Sequence, residues 1–566
     1  MSGKKRGAVM ILRHVAVAII VALVAIILSC TPDVAGGGGT EWEAKVSGYT
    51  VYDGSGLPAS GAKVFLYPEH FLQDTANGQL LRQTTADNNG YFVFDRLEPG
   101  VFHIEVNDNK SWASLSECEI PAEDTAISLA CALKPTSRIS GKIAIPAGYR
   151  GGAYVQVYGL ARIARAAVNG EFAINDVPQG DYTLRVLPSN REYLPRDVAG
   201  IAVTSSSGVT IGALPVPIND SIWKYRRPIH LNTSPSGAGI RNNVLNFPVL
   251  VRLSTGNFDF SQGASDGADI RFTKANGLAL PYEIERWDAR NSRAEIWVNV
   301  DTIYANDTSR YIVMHWGASA VSSTSDGPGV FDTAKGFQGV WHLAGSTAIE
   351  KDATGNHYDG TASDTAPAYA EGSVGPCKSF DGMSGIRMNG TAGGKLNFPE
   401  NGTYTFSAWA YADTLDNGFH LVAGKGNEQY FLKFKTAAPV STSMVWEFVE
   451  YSDNSGWSIT NTLPAIPSAK TWMHVVGVRN GTAQQLYING ELVDSTVTIS
   501  SDNVPRRTED DVTIGKFSSI PPDSLEGMCA FLGKIDEVRI LNRACGTDWI
   551  RLCYMNQKEQ DALVKW

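Results

Sequence analysis

The 566-residue sequence predicts an all-β chain built as a multidomain series of β-sandwiches. From about residue 42, short alternating apolar runs recur between Asn-Gly, Asp-Gly and Pro-Gly turn signals. Helical apolar spacing of ordinary length is absent before the last stretch, about Thr547 to Lys565. Size agrees, because roughly 150 residues per domain gives about four domains. Hydrophobic residues at 43% supply several cores, while charged residues at only 19% argue against coiled coils. A formal charge of −10 leaves no basic excess to neutralise phosphates, so nucleic acid is not an expected partner.

The N-terminus comes first. Residues 1–29 carry Lys4, Lys5, Arg6 and Arg13 and no acid, and Val15 to Leu28 are 14 uninterrupted apolar residues. That length suits a signal-peptide core better than a membrane span of about 20 residues, the rival reading. Ile27-Leu28-Ser29-Cys30 resembles a bacterial lipobox, in which Cys30 takes the lipid. The resemblance implies an exported protein anchored to a bacterial membrane. Thr31, where an aspartate would resemble an inner-membrane signal, favours the outer membrane of a Gram-negative host. Residues 30–41, with Gly36 to Gly39, form a flexible tether. Removing four positive charges takes the formal charge from −10 to −14, so the lipid and not the protein surface would hold the membrane.

An internal repeat follows. "NGYFVFDRLEPGVFHIEV" at 89–106 aligns at an offset of 80 with "NGEFAINDVPQGDYTLRV" at 169–186. Alternation of Phe92 and Phe94, and of Phe102, Ile104 and Val106, puts each set on one sheet face. Each copy opens with a matching strand, at Val46-Ser47-Gly48 and Ile139-Ser140-Gly141. The copies, 42–134 and 135–216, resemble carboxypeptidase regulatory-like (transthyretin-like) β-sandwiches, which implies non-catalytic spacers. Six cysteines remain once Cys30 is lipidated. Cys118 and Cys131 flank the end of the first copy and are expected to pair, as export permits.

The third segment, 218–335, runs through "WKYRRPIHLN", "FPVLVRL", "GADIRFT", "LPYEIERWD", "AEIWVNV" and "YIVMHWG". Each block alternates between turn residues, so another β-sandwich is expected. Block by block it resembles an uncharacterised bacterial domain often found beside lectin-like modules. The last segment, 336–566, carries "GVWHL", "DATGNHYDGT", "KSFDGMSGIRM", "YTFSAWAYAD", "WMHVVGVRNGTAQQLYINGELVDS" and "GKIDEVRILNRA". These blocks resemble the laminin-G-like, concanavalin-A-like jelly roll. Such modules mostly bind glycans or proteins, and some relatives are glycoside hydrolases. If its first and last strands are neighbours, Cys377 meets Cys529 and leaves Cys545 with Cys553. One continuous helix through those last two would forbid their bond, at about 1.5 Å rise per residue.

Catalytic signals are few. Glu283 and Glu285 stand two apart on an expected strand and face one side, like the paired acids of retaining glucanases. They lie outside the jelly-roll segment, however, and are read as solvated acids on an outer strand face. Glu447 and Glu450, three apart, face opposite sides. No His-Glu-x-x-His, P-loop, nucleophile elbow or dinucleotide fingerprint is present. The resemblance implies a possible structural calcium bordered by Asp381 and Asp536; the competing reading is that both acids accept backbone N–H groups. For a glycan, Trp446, Tyr451 and Trp457 lie in a polar run with Glu447 as polar partner, whereas Trp409 reads as core.

The expectation is therefore a non-enzymatic, lipid-anchored surface protein that binds polysaccharide or another surface polymer, as an adhesin or scaffold. Two rivals stand beside it: a protein-binding structural component of an envelope complex, and a glycoside hydrolase.

Overall fold

Gly48 and Gly141, 93 positions apart in the sequence, occupy the same kind of place. Gly48 pairs with Phe92 across an antiparallel ladder, and a side chain there would stand 2.7 Å from the Phe92 ring. Gly141 pairs with Phe172, 3.1 Å from the same imagined carbon. In both copies the closing strand runs parallel to the opening one, with Val46 beside Ile127 and Ile139 beside Val209. An aromatic ring lying over the opening strand needs a residue without a side chain beneath it.

The computed structural model describes residues 44–73, 82–121, 126–144, 152–346, 348–363, 365–398, 402–415, 418–426, 429–436, 444–452, 456–461, 468–496, 509–517 and 530–566. Cys30 and the leader lie outside them. Two compact units result, one ending at Pro135 and the other running from Thr136 to Trp566, with Leu72–Thr75 grouped in the second. Among the described residues no helix is long and apolar enough to cross a membrane.

In the first unit a seven-stranded sheet runs Arg82–Thr85, Lys63–Pro68, Gly100–Asn107, Trp112–Ile120, Ala126–Pro135, Ala44–Tyr52, Tyr91–Leu97. Val46, Phe92, Phe94, Ile104, Val106 and Leu133 fill its core, on the faces that the alternation assigns.

The second unit holds three sandwiches. The second repeat copy splits into a four-stranded and a three-stranded sheet. The next module sets a sheet containing Tyr225–Leu231, Arg271–Lys274 and Tyr311–Trp316 with a sheet of Val244–Ser254, Arg293–Ile303 and Tyr282–Asp288. The last module has two larger sheets. One centres on Leu532–Leu541, Thr403–Ala412 and Trp472–Asn480, and the other on Phe419–Lys425, Tyr430–Thr436 and Met444–Ser452. Their inward faces enclose a core of Phe406, Ala408, Leu432, Phe434, Trp446, Phe448 and Val475.

A separate core runs unbroken from the third sandwich onto the outer face of the first of those sheets. It joins Phe247, Val249 and Trp297 to Val476, Val478, Tyr487 and Leu541. The helix Thr547–Gln557 contributes to it, with Trp549 edge-on to Phe247 at 6.0 Å. The Asn556 side-chain amide binds both the N–H and the carbonyl of Leu250, at 2.7 and 3.0 Å, as a neighbouring strand would. Beyond the helix, Val564–Lys565 pairs with Leu231 and His230, so the chain end completes a sheet of the third module. The expected C-terminal helix is thus shorter than its sequence window and ends as a strand.

The cysteine expectations need correction. Cys118, Cys131, Cys377, Cys545 and Cys553 are all buried free thiols, and Cys529 lies outside the described residues. The strand register, with Trp112 opposite Pro135 and Ala113 opposite Lys134, carries Cys131 to the Ser114 and Ser116 hydroxyls and away from Cys118. Cys545 precedes the helix and Cys553 lies within it, six residues or about 9 Å from its start.

His315 is a buried base with an expected pH signature. Its Nε2 meets Thr273 Oγ1 at 3.0 Å and its Nδ1 lies 3.5 Å from Asp220. Burial pushes its pKa down to about 4; Asp220 opposes the shift and Arg226 adds to it. The unfolded chain therefore takes a proton first. Stability is full above about pH 6.5 and is lost as pH falls toward 4, by up to about 1.4 kcal/mol per pH unit. Thermal midpoints of wild type and His315→Gln measured from pH 7 to 4.5 should show a shallower acid-side fall in the variant.

Candidate functional site

The strands Tyr430–Thr436, Met444–Ser452 and Gly456–Asn461 are three neighbours in one sheet of the last module. Their register sorts the residues expected to bind ligand. Glu447 pairs with Lys433 on one side and Asn461 on the other, and Tyr451 pairs with Trp457. Period-two alternation then puts Glu447 and Tyr451 on the outer face and Trp446 on the inner one, while the Trp457 side chain lies outside what the structure describes. Trp446 is 2% exposed and stands edge-on to Phe434 at 5.2 Å, so this expected ligand residue is a core residue instead.

The outer face carries more than those two. Glu447 sits between Lys433 Nζ at 3.4 Å and Lys435 Nζ at 3.2 Å. Phe419, 40% exposed, receives both ammonium groups over its ring, at 4.6 and 5.7 Å. Glu447 and Lys433 are buried, so the exposed ring and the partly exposed Lys435 are the groups of this set that reach the surface. Glu450 faces inward, where Arg479 and Tyr404 hold it, as its odd spacing from Glu447 requires.

A second constellation lies where the third and last modules meet. Glu283 and Glu285 do face one side, but they are not solvated: their side chains are 17% and 0% exposed. Both reach His342, the residue after the strand Phe337–Trp341. His342 Nε2 lies 3.3 Å from Glu283 Oε2, and Nδ1 lies 2.5 Å from Glu537 Oε1 and 3.7 Å from Glu285 Oε2. Glu285 Oε2 also accepts the Trp297 indole N–H at 2.8 Å. The Arg539 guanidinium binds Glu537 Oε2 and lies 4.4 Å above the Trp297 ring.

Two β-bulges aim these acids. One falls between Ile284 and Arg286 and leaves Glu285 without a partner residue. The other sets Trp409 opposite Asp536 and Ser407 opposite Arg539, with Glu537 at φ 53°. A bulge re-aims side chains, and a positive φ costs a non-glycine residue strain that its contacts must offset. Asp536 thereby turns inward beside Glu537 and accepts the N–H groups of Ser373 and Val374 at 2.8 and 3.0 Å.

Burial opposes charge on all four groups, and their partners decide the outcome. Burial raises Glu285, with His342 opposing and Glu537 and Asp536 reinforcing. It likewise raises Asp536, beside Glu537. Burial would raise Glu537 too, but His342 and Arg539 hold it below its ordinary value. Burial would lower His342, and Glu537 with Glu283 pushes it well above. The surroundings thus push protons toward His342, Glu285 and Asp536 and away from Glu537.

Asp381 and Asp536 are not brought together. Asp381 is exposed and caps its own turn through Met383 and Ser384 N–H. Lys378 pairs with Ile535 and Asp381 with Leu532, which puts Asp381 four positions, about 13 Å, from the point opposite Asp536. These two acids do not form one calcium site.

Residues 389–551 match the model of the concanavalin A-like lectin/glucanases superfamily. The last module is a concanavalin A-like sandwich. Residues 266–344 match a domain of unknown function (DUF2341). No curated protein is significantly similar in sequence to this chain. Among solved structures, domain 4 of AbnA, a GH43 extracellular arabinanase from Geobacillus stearothermophilus in complex with arabinotriose, is 20% identical; the match covers 38% of this chain and 97% of that one, at TM-score 0.29. The binding domain of Paraclostridial Mosquitocidal Protein 1 is 14% identical over 39% of this chain and 52% of that one, at TM-score 0.31. A heptameric SAP-like pentraxin from Limulus polyphemus is 12% identical over 29% and 74%, at TM-score 0.23. At such scores none of the three bears on function.

Sequence reasoning singled out Glu283 and Glu285 but not His342 or Glu537. A signal existed: in the concanavalin A-like segment, "KIDEVRI" sets two acids side by side in an apolar strand, so alternation must turn one of them inward. Glycines make room for the inward acids. A side chain at Gly375 would stand 2.6 Å from Glu285 Oε1, and one at Gly372 would stand 2.3 Å from Asp536 Oδ2. Gly375→Ala is expected to cost about 1–3 kcal/mol by overpacking, read as a lower midpoint in chemical denaturation of the full chain.

Proposed function

We propose that this chain is a surface-anchored binding protein whose concanavalin A-like module grips polysaccharide or another surface polymer. The contact face is the outer face carrying Phe419, Lys435 and Tyr451, with Lys433 and Glu447 buried beside them. The observation behind this reading is their convergence: an exposed ring and a Lys–Glu–Lys group from three adjacent strands share one face. A pyranose offers that face C–H groups for the Phe419 ring and hydroxyls for Lys435, which the buried Glu447 holds in place.

Binding without catalysis accounts for the acids. Glu283 and Glu285 are committed to His342 and Trp297, Glu450 to Arg479, and Glu447 to two lysines. Each of these acids is thus already held by a partner in place of a free acid pair such as a hydrolase uses. Cys30 would carry the lipid, Gly36 to Gly39 the tether, and the two repeat copies the reach away from the membrane. Lipidation needs more than one chain for stable anchoring, which a lipobox cysteine supplies.

The full chain run in native gels containing single polysaccharides should be retarded by at least one. Phe419→Ala with Tyr451→Ala should weaken that retardation about tenfold, the equivalent of about 1.4 kcal/mol. Failure across a wide panel, with capture of one defined envelope protein, would overturn the reading. So would reducing sugar released by the wild type and abolished in Glu447→Gln. Anchoring is read separately. Cys30→Ser should move the protein from membranes to the soluble fraction, and retention would show a spanning segment instead.

A further inference from the structure

We infer that Glu285, His342 and Glu537 form a binding site for a divalent first-row transition ion that pins the third sandwich to the last. One donor atom from each lies within 4.8 Å of the others. His342 Nδ1 is the shared point, 2.5 Å from Glu537 Oε1 and 3.7 Å from Glu285 Oε2. An ion in place of the Nδ1 proton needs only a small spreading of this set to reach contacts of about 2.0–2.2 Å.

The surroundings match what a metal-bound histidine requires. Its other nitrogen, Nε2, faces the Glu283 carboxylate at 3.3 Å, the outer contact that fixes the tautomer of a ligating imidazole. The ligating carboxylates are themselves held: Glu285 by the Trp297 indole N–H and Glu537 by the Arg539 guanidinium. Each ligand thus has a partner that orients it, and those partners come from both modules.

A second observation points to an absent cation. Glu285 Oε1 and Asp536 Oδ1 are buried and accept no hydrogen bond, although the Glu285 side chain is 0% exposed. Native structures rarely leave a buried carboxylate oxygen uncapped, because its lost hydration is not replaced. Four carboxylates meet here, and Arg539 alone among their nearest partners is a permanent cation bound to one of them. An imidazole nitrogen with carboxylate oxygens suits zinc or manganese, whereas calcium would want six to eight oxygens. The ligand side chains are no more than 9% exposed, so the ion would be structural.

The full chain, stripped with chelator, would be dialysed against Zn²⁺, Mn²⁺ or Ca²⁺ in turn, and bound metal counted by mass spectrometry. We expect one equivalent of Zn²⁺ or Mn²⁺ per chain and none of Ca²⁺, with a thermal midpoint several degrees above the stripped form. Co²⁺ loading should give visible d–d bands without a thiolate charge-transfer band, which separates this site from the five buried thiols. Glu285→Gln, nearly isosteric, should lower affinity at least tenfold, and His342→Gln should abolish the Co²⁺ bands. If a variant does not fold, the wild-type stoichiometry and midpoint still decide. No stoichiometric metal and an unchanged midpoint would overturn the inference and leave a cluster held by protons. Unaltered Co²⁺ bands in folded Glu285→Gln and His342→Gln would overturn it equally.

Discussion

His342 is the fixed point between the third and last sandwiches. Three carboxylates from two modules approach one largely buried imidazole. Desolvating such groups costs several kcal/mol each, so the arrangement persists only where geometry supplies compensation. The nearby structure is arranged to supply it. Two bulges turn the acids inward, two glycines give them space, Trp297 donates to Glu285 and Arg539 to Glu537. A slip of one residue in either strand would turn its acids to the wrong face.

That junction also decides which surface of the last module is left free of the third module. The outer face of the sheet containing Trp472–Asn480 is spent on packing, with Val476, Val478, Tyr487 and Leu541 in the core shared with the third module. The C-terminal helix adds to that packing, and the final strand carries the connection into the third module's own sheet. The outer face of the opposite sheet, with Phe419 and the Lys433–Glu447–Lys435 group, is the face that this packing does not use. The packed face and the proposed contact face thus lie on opposite sides of one sandwich. The two modules thus share one core, and Val564–Lys565 lies in the sheet of the third module.

The fold was largely readable from periodicity. Phe92, Phe94, Ile104 and Val106 are buried on the faces their alternation assigns, and the 80-residue repeat reappears as matching strand pairings. Glu447 and Tyr451 could be placed on one face by counting, and the same counting would have turned Trp446 inward. The polar neighbours of Trp446 hid this, since they sit in the same run but on the other face. Cys118 and Cys131 misled for a related reason. Nearness in sequence does not fix register, and the register brought Cys131 to serines.

The sequence by itself determined the all-β class, the repeat, the strand faces and the turn positions. These depend on short-range rules, alternation and turn chemistry, that each segment obeys alone. Tertiary structure alone decided that Glu283 and Glu285 would meet His342 and Glu537, more than 50 and 250 positions away. It also decided that two expected bridges would be free thiols and that the chain end would return to an earlier sheet. Those outcomes rest on bulges, register and packing between modules, which no single segment's pattern contains.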